Sequence, residues 1–421
     1  MPNLFQKNFL ASACAALATS TSVPAQAVNM SQTGQGQVLI FPYYTVRGGH
    51  DTYLSLLNSS DVPTLVTVRF WTSIDSVRAS SFDLYLAPHD QWTGGITATV
   101  GGAKLISSDR SCTEPSIPHG GLLLGLNLPP DYSMDIVREG YLEVFEIGEI
   151  KDPAIIAGMS QAAGSPSCNL RPTPGFFAAL DSPTGILSGT ATLINVAGGA
   201  QYGYEPVALE HFSQPSDILW TGVTLAHSDH TSQVLDKGRV VTSTWERGID
   251  AISAVLMHAS MSNEFVLEPT TLSGTDWVVT MPTNVDYPSV APPFAAGRCQ
   301  FEFVGDATVR DREGRASKFN LPVESPLVAP AALCNNVSVL TFNNANLLAS
   351  AHSENLGVSP DNGWAEFKFQ GALVSREGHR YKGLPVIGFM VHDFVNGNVG
   401  GLLSNYGGNF AHKYTTVIDA P

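Results

Sequence analysis

Side chains able to do chemistry gather at a few places in this chain. His227-Ser228-Asp229-His230 sets two imidazoles and a carboxylate within four residues. On a loop, His227, Asp229 and His230 could meet one Zn²⁺ or Cu²⁺ ion. An H-x-x-H spacing alone is a weak signal, because zinc wants a further, distant ligand that the sequence does not mark. The ordinary reading is a solvated turn. Glu143, Glu146 and Glu149 form an acidic group. A glycosidase needs two carboxylates about 5–10 Å apart across one sugar ring. On a strand, Glu143 and Glu146 face opposite sides unless a bulge intervenes. Asp306, Asp311 and Glu313 could surround a Ca²⁺ ion at a hairpin tip, but they lack the dense alternation of acids in a calcium loop. His392-Asp393 reads as a hydrogen-bonded pair with no third member of a triad.

Nucleophile and phosphate motifs are missing. Gly158-Met159-Ser160-Gln161-Ala162 lacks the last glycine of G-x-S-x-G, and no glycine-rich phosphate loop occurs. No catalytic residue is therefore assigned, and no cofactor is expected. The aromatics offer a different chemistry. Tyr43, Tyr44, Tyr53, Trp71, Tyr85 and Trp92 crowd the early chain. Exposed rings stack on sugars, which makes Tyr85 and Trp92 candidate glycan platforms. Buried rings are ordinary cross-strand core partners.

The elements that would position these groups read as short strands. Charged residues are 14% of the chain, well below the ~25% of an average soluble domain, while Gly (39) and Pro (27) are abundant. Val66, Val68 and Phe70 alternate with Thr67 and Arg69, and Phe82, Leu84 and Leu86 alternate with Asp83 and Tyr85. Pro42 inside the apolar run 38–46 predicts an edge strand or a bulge. Helical spacing suggests short helices over 153–163, 205–213 and 248–260. Tyr287–Pro293 (YPSVAPP) is the strongest boundary signal.

The N-terminus fixes a compartment. Lys7, an apolar run from Phe9, Pro24 and Ala25-Gln26-Ala27 form a secretory signal with a small-residue cleavage site. A competing lipobox at Ala11-Ser12-Ala13-Cys14 is preceded by too short an apolar run. Beyond the leader no apolar run reaches the ~18 residues of a membrane helix. Cleavage removes Lys7 and no acid, leaving 21 basic against 37 acidic side chains, a charge of −16. Such a surface repels phosphate, so nucleic acid is excluded as a partner. Four cysteines remain: Cys112, Cys168, Cys299 and Cys334. In an oxidising compartment they suggest disulfides, and local pairing favours Cys112–Cys168 and Cys299–Cys334 over the other two connectivities.

Ile40–Thr45 (IFPYYT), Arg138–Ile147 (REGYLEVFEI), Thr275–Thr283 (TDWVVTMPT), Asp311–Arg315 (DREGR) and Asn405–His412 (NYGGNFAH) resemble phrases in a set of secreted proteobacterial proteins described as hypothetical. The resemblance implies an exported β-rich protein and carries no catalytic residues to transfer.

The expectation is a mainly β chain of two or three antiparallel, Ig-like sandwich modules with one or two short helices. Its parts are a leader over 1–27, a sandwich over 28–185, a second β-rich segment with short helices over 186–293, either separate or packed with the first sandwich, and a C-terminal sandwich over 294–421. The expected role is a non-enzymatic structural or interaction protein of the bacterial envelope or extracellular space, meeting a protein or glycan surface. The alternatives are a carbohydrate-binding sandwich and a metal-dependent or glycoside hydrolase.

Overall fold

The computed structural model describes residues 27–75, 77–126, 128–159, 180–212, 222–287, 292–294, 307–317, 319–320, 333, 335–359 and 361–421. These are mainly β, with two α-helices among them. The first sandwich uses β1 (Val38–Thr45), β2 (Asp51–Asn58), β3 (Thr64–Thr72), β4 (Arg78–Leu86), β5 (Gln91–Thr99), β6 (Gly102–Ile106), β7 (Cys112–Glu114), β8 (Glu139–Glu149), β9 (Leu187–Asn195), β10 (Ala200–Tyr204) and β11 (Val207–Glu210). One sheet runs Asn29–Met30, β11, β1, β8, β3, β4, β7; the other runs β10, β9, β2, β5, β6, Leu122–Leu123. Every pairing in both is antiparallel. Alternation buries Val66, Val68 and Phe70 between the sheets, where Phe82 of one meets Trp92 of the other at 5.5 Å.

Pro42 sits in a central strand, because a bulge accommodates it. The register of β1 against β8 slips where Pro42 and Tyr43 together oppose Tyr141. The ring's missing N–H thus costs no ladder bond. The reverse face of β3, which carries Thr67 and Arg69, is covered. Phe145 beside it packs on Phe212 at 5.7 Å, and the Tyr141 hydroxyl donates to the Pro282 carbonyl at 3.5 Å.

The second half contains β12 (Thr231–Asp236), β13 (Arg239–Thr244), β14 (Ser260–Val266), β15 (Gly274–Thr280), β16 (Ala307–Asp311), β17 (Val337–Phe342), β18 (Ser353–Val358), β19 (Asn362–Lys368), β20 (Ala372–Val374), β21 (Arg380–Lys382), β22 (Ile387–Val399), β23 (Leu402–Ala411) and β24 (Lys413–Thr415). Sheets β16-β19-β14-β24 and (Phe319–Asn320)-β18-β17-β15-β22-β23 face each other. Trp277 is fully buried among Phe342, Phe367 and His412, with ring centres 5.1–5.4 Å away. The pairing of β17 with β18 is parallel. The helices are α1 (Pro153–Met159) and α2 (Gly248–Val255), the latter buried along its whole length.

Two expectations need correcting. Val207–Glu210, inside the suspected helix 205–213, is a strand, because pairing with β1 overrides the helical preference of its Ala, Leu and Glu. Strands β9 to β11 pair into the first sandwich, so the start of the 186–293 segment packs with the first module. The proline-rich stretch near 287–293 does not separate two sheets, since β14 and β15 pair with β19, β17 and β22 from beyond it.

The two sandwiches share one continuous core. Tyr204 stacks on Phe389 at 4.5 Å, and its hydroxyl donates to the Tyr43 carbonyl. Thr280 Oγ1 donates to the Pro42 carbonyl at 2.5 Å, and Val337 N–H to Ser73 O at 3.0 Å. The Glu139 carboxylate, 1% exposed, takes Arg47 Nε at 2.7 Å, Tyr43 hydroxyl at 3.0 Å and the Ala351 N–H at 3.0 Å. Glu139→Ala leaves Arg47 only the half-exposed Asp135 as an acid partner and takes the acceptor from the Tyr43 hydroxyl and the Ala351 N–H, and it should cost about 3–5 kcal/mol in urea unfolding. Glu139→Gln, which keeps an acceptor in place, should cost less.

Candidate functional site

Among the described residues, those singled out in the sequence form no group of three or more metal-binding side chains. His227 closes a one-turn 3₁₀ helix, Leu225–His227, where its Nδ1 takes the Thr224 N–H at 3.1 Å. Asp229 Oδ1 takes the Thr231 N–H at 3.0 Å, ordinary turn chemistry. Among the described residues no three His, Cys, Asp or Glu side chains converge as a metal cluster, His227, Asp229 and His230 included. Tyr85 and Trp92 are 2% and 1% exposed. They are core residues, and no sugar can stack on them. Cys112 is buried on β7, while Cys168, Cys299 and Cys334 lie outside the described residues, as do residues 1–26 of the leader, Cys14 among them, Ser160 and Asp306. Asp311 is turned inward on its own hairpin, pairing with Arg315 at 2.8 Å. His392 packs against Phe394 and Phe410, whereas Asp393 accepts the Gly274 N–H at 2.9 Å, so the adjacent pair is split across the sheet.

The three glutamates go separate ways. Glu146 is consumed by Thr184 and Gly185, taking their N–H groups at 2.9 and 2.8 Å. Glu149 ends the strand at its pairing with Thr64. Glu143 lies on the covered reverse face and takes Trp71 Nε1 at 2.8 Å. Burial raises its pKa to about 8, against the pull of Trp71 and Arg69, with Asp286 adding to the rise. Arg69, its cross-strand neighbour, is equally buried and lies over the Phe145 ring, with Nε and Nη1 lacking hydrogen-bond partners. Burial thus favours the protonated form of this carboxyl group, which lines none of the cavities at Tyr204–Phe389, Trp245–Ser375 or Glu210–Val255.

The surface that stands out is the β22–β23 hairpin. Gly400 and Gly401 turn it with φ of +62° and +88°, a two-residue bend that favours glycine at both positions. One face of β23 grips the first sandwich. Asn405 Nδ2 donates to Gly198 O at 2.9 Å and Asn409 Nδ2 to Gly203 O at 2.5 Å. A Cβ on Gly407 would come within 2.7 Å of the Tyr202 ring, so glycine lets the strands approach. The opposite face carries Leu402 at 73% exposure and Tyr406 at 61%, with Phe410 and Val399 also open. Residues 395–411 hold none of the chain's charged side chains and no proline. β23 is also the edge strand of its sheet. Edges left without charge or proline are open to pairing.

The sequence reading missed these residues. Their signal in the sequence is Gly400-Gly401 followed by an alternating Leu, Asn, Tyr and Phe run. No family model, curated protein or solved structure matches this chain. Among the described residues no helix is long and apolar enough to cross a membrane.

Glu143 gives a signed pH test. Its folded pKa of about 8 exceeds the ordinary 4.5, so the folded state keeps a proton that the unfolded chain releases between those values. Its contribution is fully present below pH 4.5 and is lost as pH rises towards 8. Glu143→Gln should flatten that decline. The stability difference between variant and parent should grow in the variant's favour through this window, read by urea unfolding at stepped pH.

Proposed function

We propose that this is an exported, non-enzymatic interaction protein of the bacterial envelope or extracellular space. Two sandwich modules of Ig-like character act as a rigid mount, and the β22–β23 hairpin meets a partner protein. The observation that carries this reading is the uncharged, exposed face of Val399, Leu402, Tyr406 and Phe410 on a chain otherwise rich in acid. Export follows from the Ala25-Gln26-Ala27 leader, and cleavage would make Val28 the first residue. The Cys112–Cys168 and Cys299–Cys334 disulfides belong to the same reading, each worth about 2–4 kcal/mol. The glycan alternative loses its support with the burial of Tyr85 and Trp92. The hydrolase alternative loses its support with the dispersal of His227, Asp229 and His230.

A photo-crosslinking residue placed at Tyr406 or Phe410 in exporting cells should give one discrete adduct. The same residue at the exposed Val100 should give none, and Leu402→Asp should abolish the Tyr406 adduct. N-terminal sequencing of the exported product should begin at Val28. Turnover of a glycoside, ester or peptide panel that a single point substitution removes would refute the non-enzymatic reading.

A further inference from the structure

We propose that a second region, a cavity of about 540 Å³ between the edge of the first sandwich, the β12–β13 hairpin and α2, binds a small apolar molecule carrying a protonated amine. The volume lies within the ~300–1,000 Å³ of ordinary ligand pockets, and such pockets favour junctions between modules. Segments far apart in sequence converge there: Met30, Glu210, Val240, Val255 and His258 all line it. Met30, Val234, Leu235, Val240 and Val255 form an apolar part of the wall that suits an aliphatic or aromatic body, beside polar lining that includes Gln233.

The charge of the ligand follows from Glu210. Its two oxygens are held by neutral donors, Ser31 Oγ at 2.7 Å and Asn29 Nδ2 at 3.2 Å. Among the described residues it forms no ion pair with Lys, Arg or His. The carboxylate is thus fixed in place yet not neutralised, and an ammonium group is its natural complement. His258 adds no competing positive charge. It is stacked on Tyr414 at 4.0 Å, and burial lowers its pKa to about 4. The acidic chain as a whole draws cations and repels carboxylates.

Tryptamine is a suitable probe, with tryptophol and indole-3-propionate as analogues of similar shape that are neutral and anionic. Calorimetric titration of the mature chain should show saturable tryptamine binding, tryptophol binding at least tenfold weaker and no binding of indole-3-propionate. Glu210→Gln should weaken tryptamine by about tenfold or more. Val240→Trp, at an exposed rim position, should block binding while the melting temperature stays unchanged. Tyr406→Ser on the hairpin should leave tryptamine affinity intact, which separates this site from the proposed partner surface. No saturation in the millimolar range, equal binding of the three probes, or full affinity in Val240→Trp would each overturn the assignment.

Discussion

Glu139 brings a carboxylate to the place where the two sandwiches meet, and the architecture around it is arranged to keep that carboxylate satisfied. Arg47 reaches it from the turn after β1, Tyr43 from the bulged part of β1, and the Ala351 N–H from the second sandwich. A buried acid held only from one side would favour separation of the modules, because water would then reach it. Held from both sides, it makes the docked arrangement the one that leaves no charge stranded. The bulge at Pro42 belongs to the same junction. It displaces the strand locally and leaves the Pro42 carbonyl to accept from Thr280. Tyr204, pressed on Phe389, then donates to the next carbonyl along.

That docking covers one edge of the all-antiparallel first half. β10 ends its sheet, and a free edge normally invites another chain. Here Asn405 and Asn409 supply side-chain donors to carbonyls at Gly198 and Gly203, so the second sandwich covers the edge of the first without continuing its ladder. The same strand therefore has two different faces. One is committed to the first module by asparagine and glycine. The other carries leucine, tyrosine and phenylalanine with nothing of this chain's described residues laid over them.

Much of the fold could be read in the sequence because alternation is a local property. Val66, Val68 and Phe70 needed only a sheet to face, and α2 announced itself by apolar spacing. What could not be read depends on neighbours distant in sequence. Val207–Glu210 has helix-forming residues and becomes a strand because β1 offers it an edge. Proline between Tyr287 and Pro293 interrupts periodicity in a connection within one module as well as in a linker between two. Tyr85 and Trp92 are identical on paper whether they face a sugar or Phe82, and only the second sheet decides. The candidate surface was hidden for a related reason. Glycine and asparagine in Leu402–Ala411 suggest a loop, yet each is explained by contact with the first sandwich.

The acidity of the chain and the neutrality of the hairpin are best understood together. An exposed apolar face on an edge strand is a liability for any protein at appreciable concentration. With a net charge of −15, two copies repel as they approach. The Debye length is about 8 Å at physiological salt, so this repulsion acts over a distance comparable to the hairpin's own width. A partner with neutral or basic surroundings would not meet that barrier. In the proposed role, the acids do not contact the partner at all: they decide which surfaces can come close enough for Leu402 and Tyr406 to be buried.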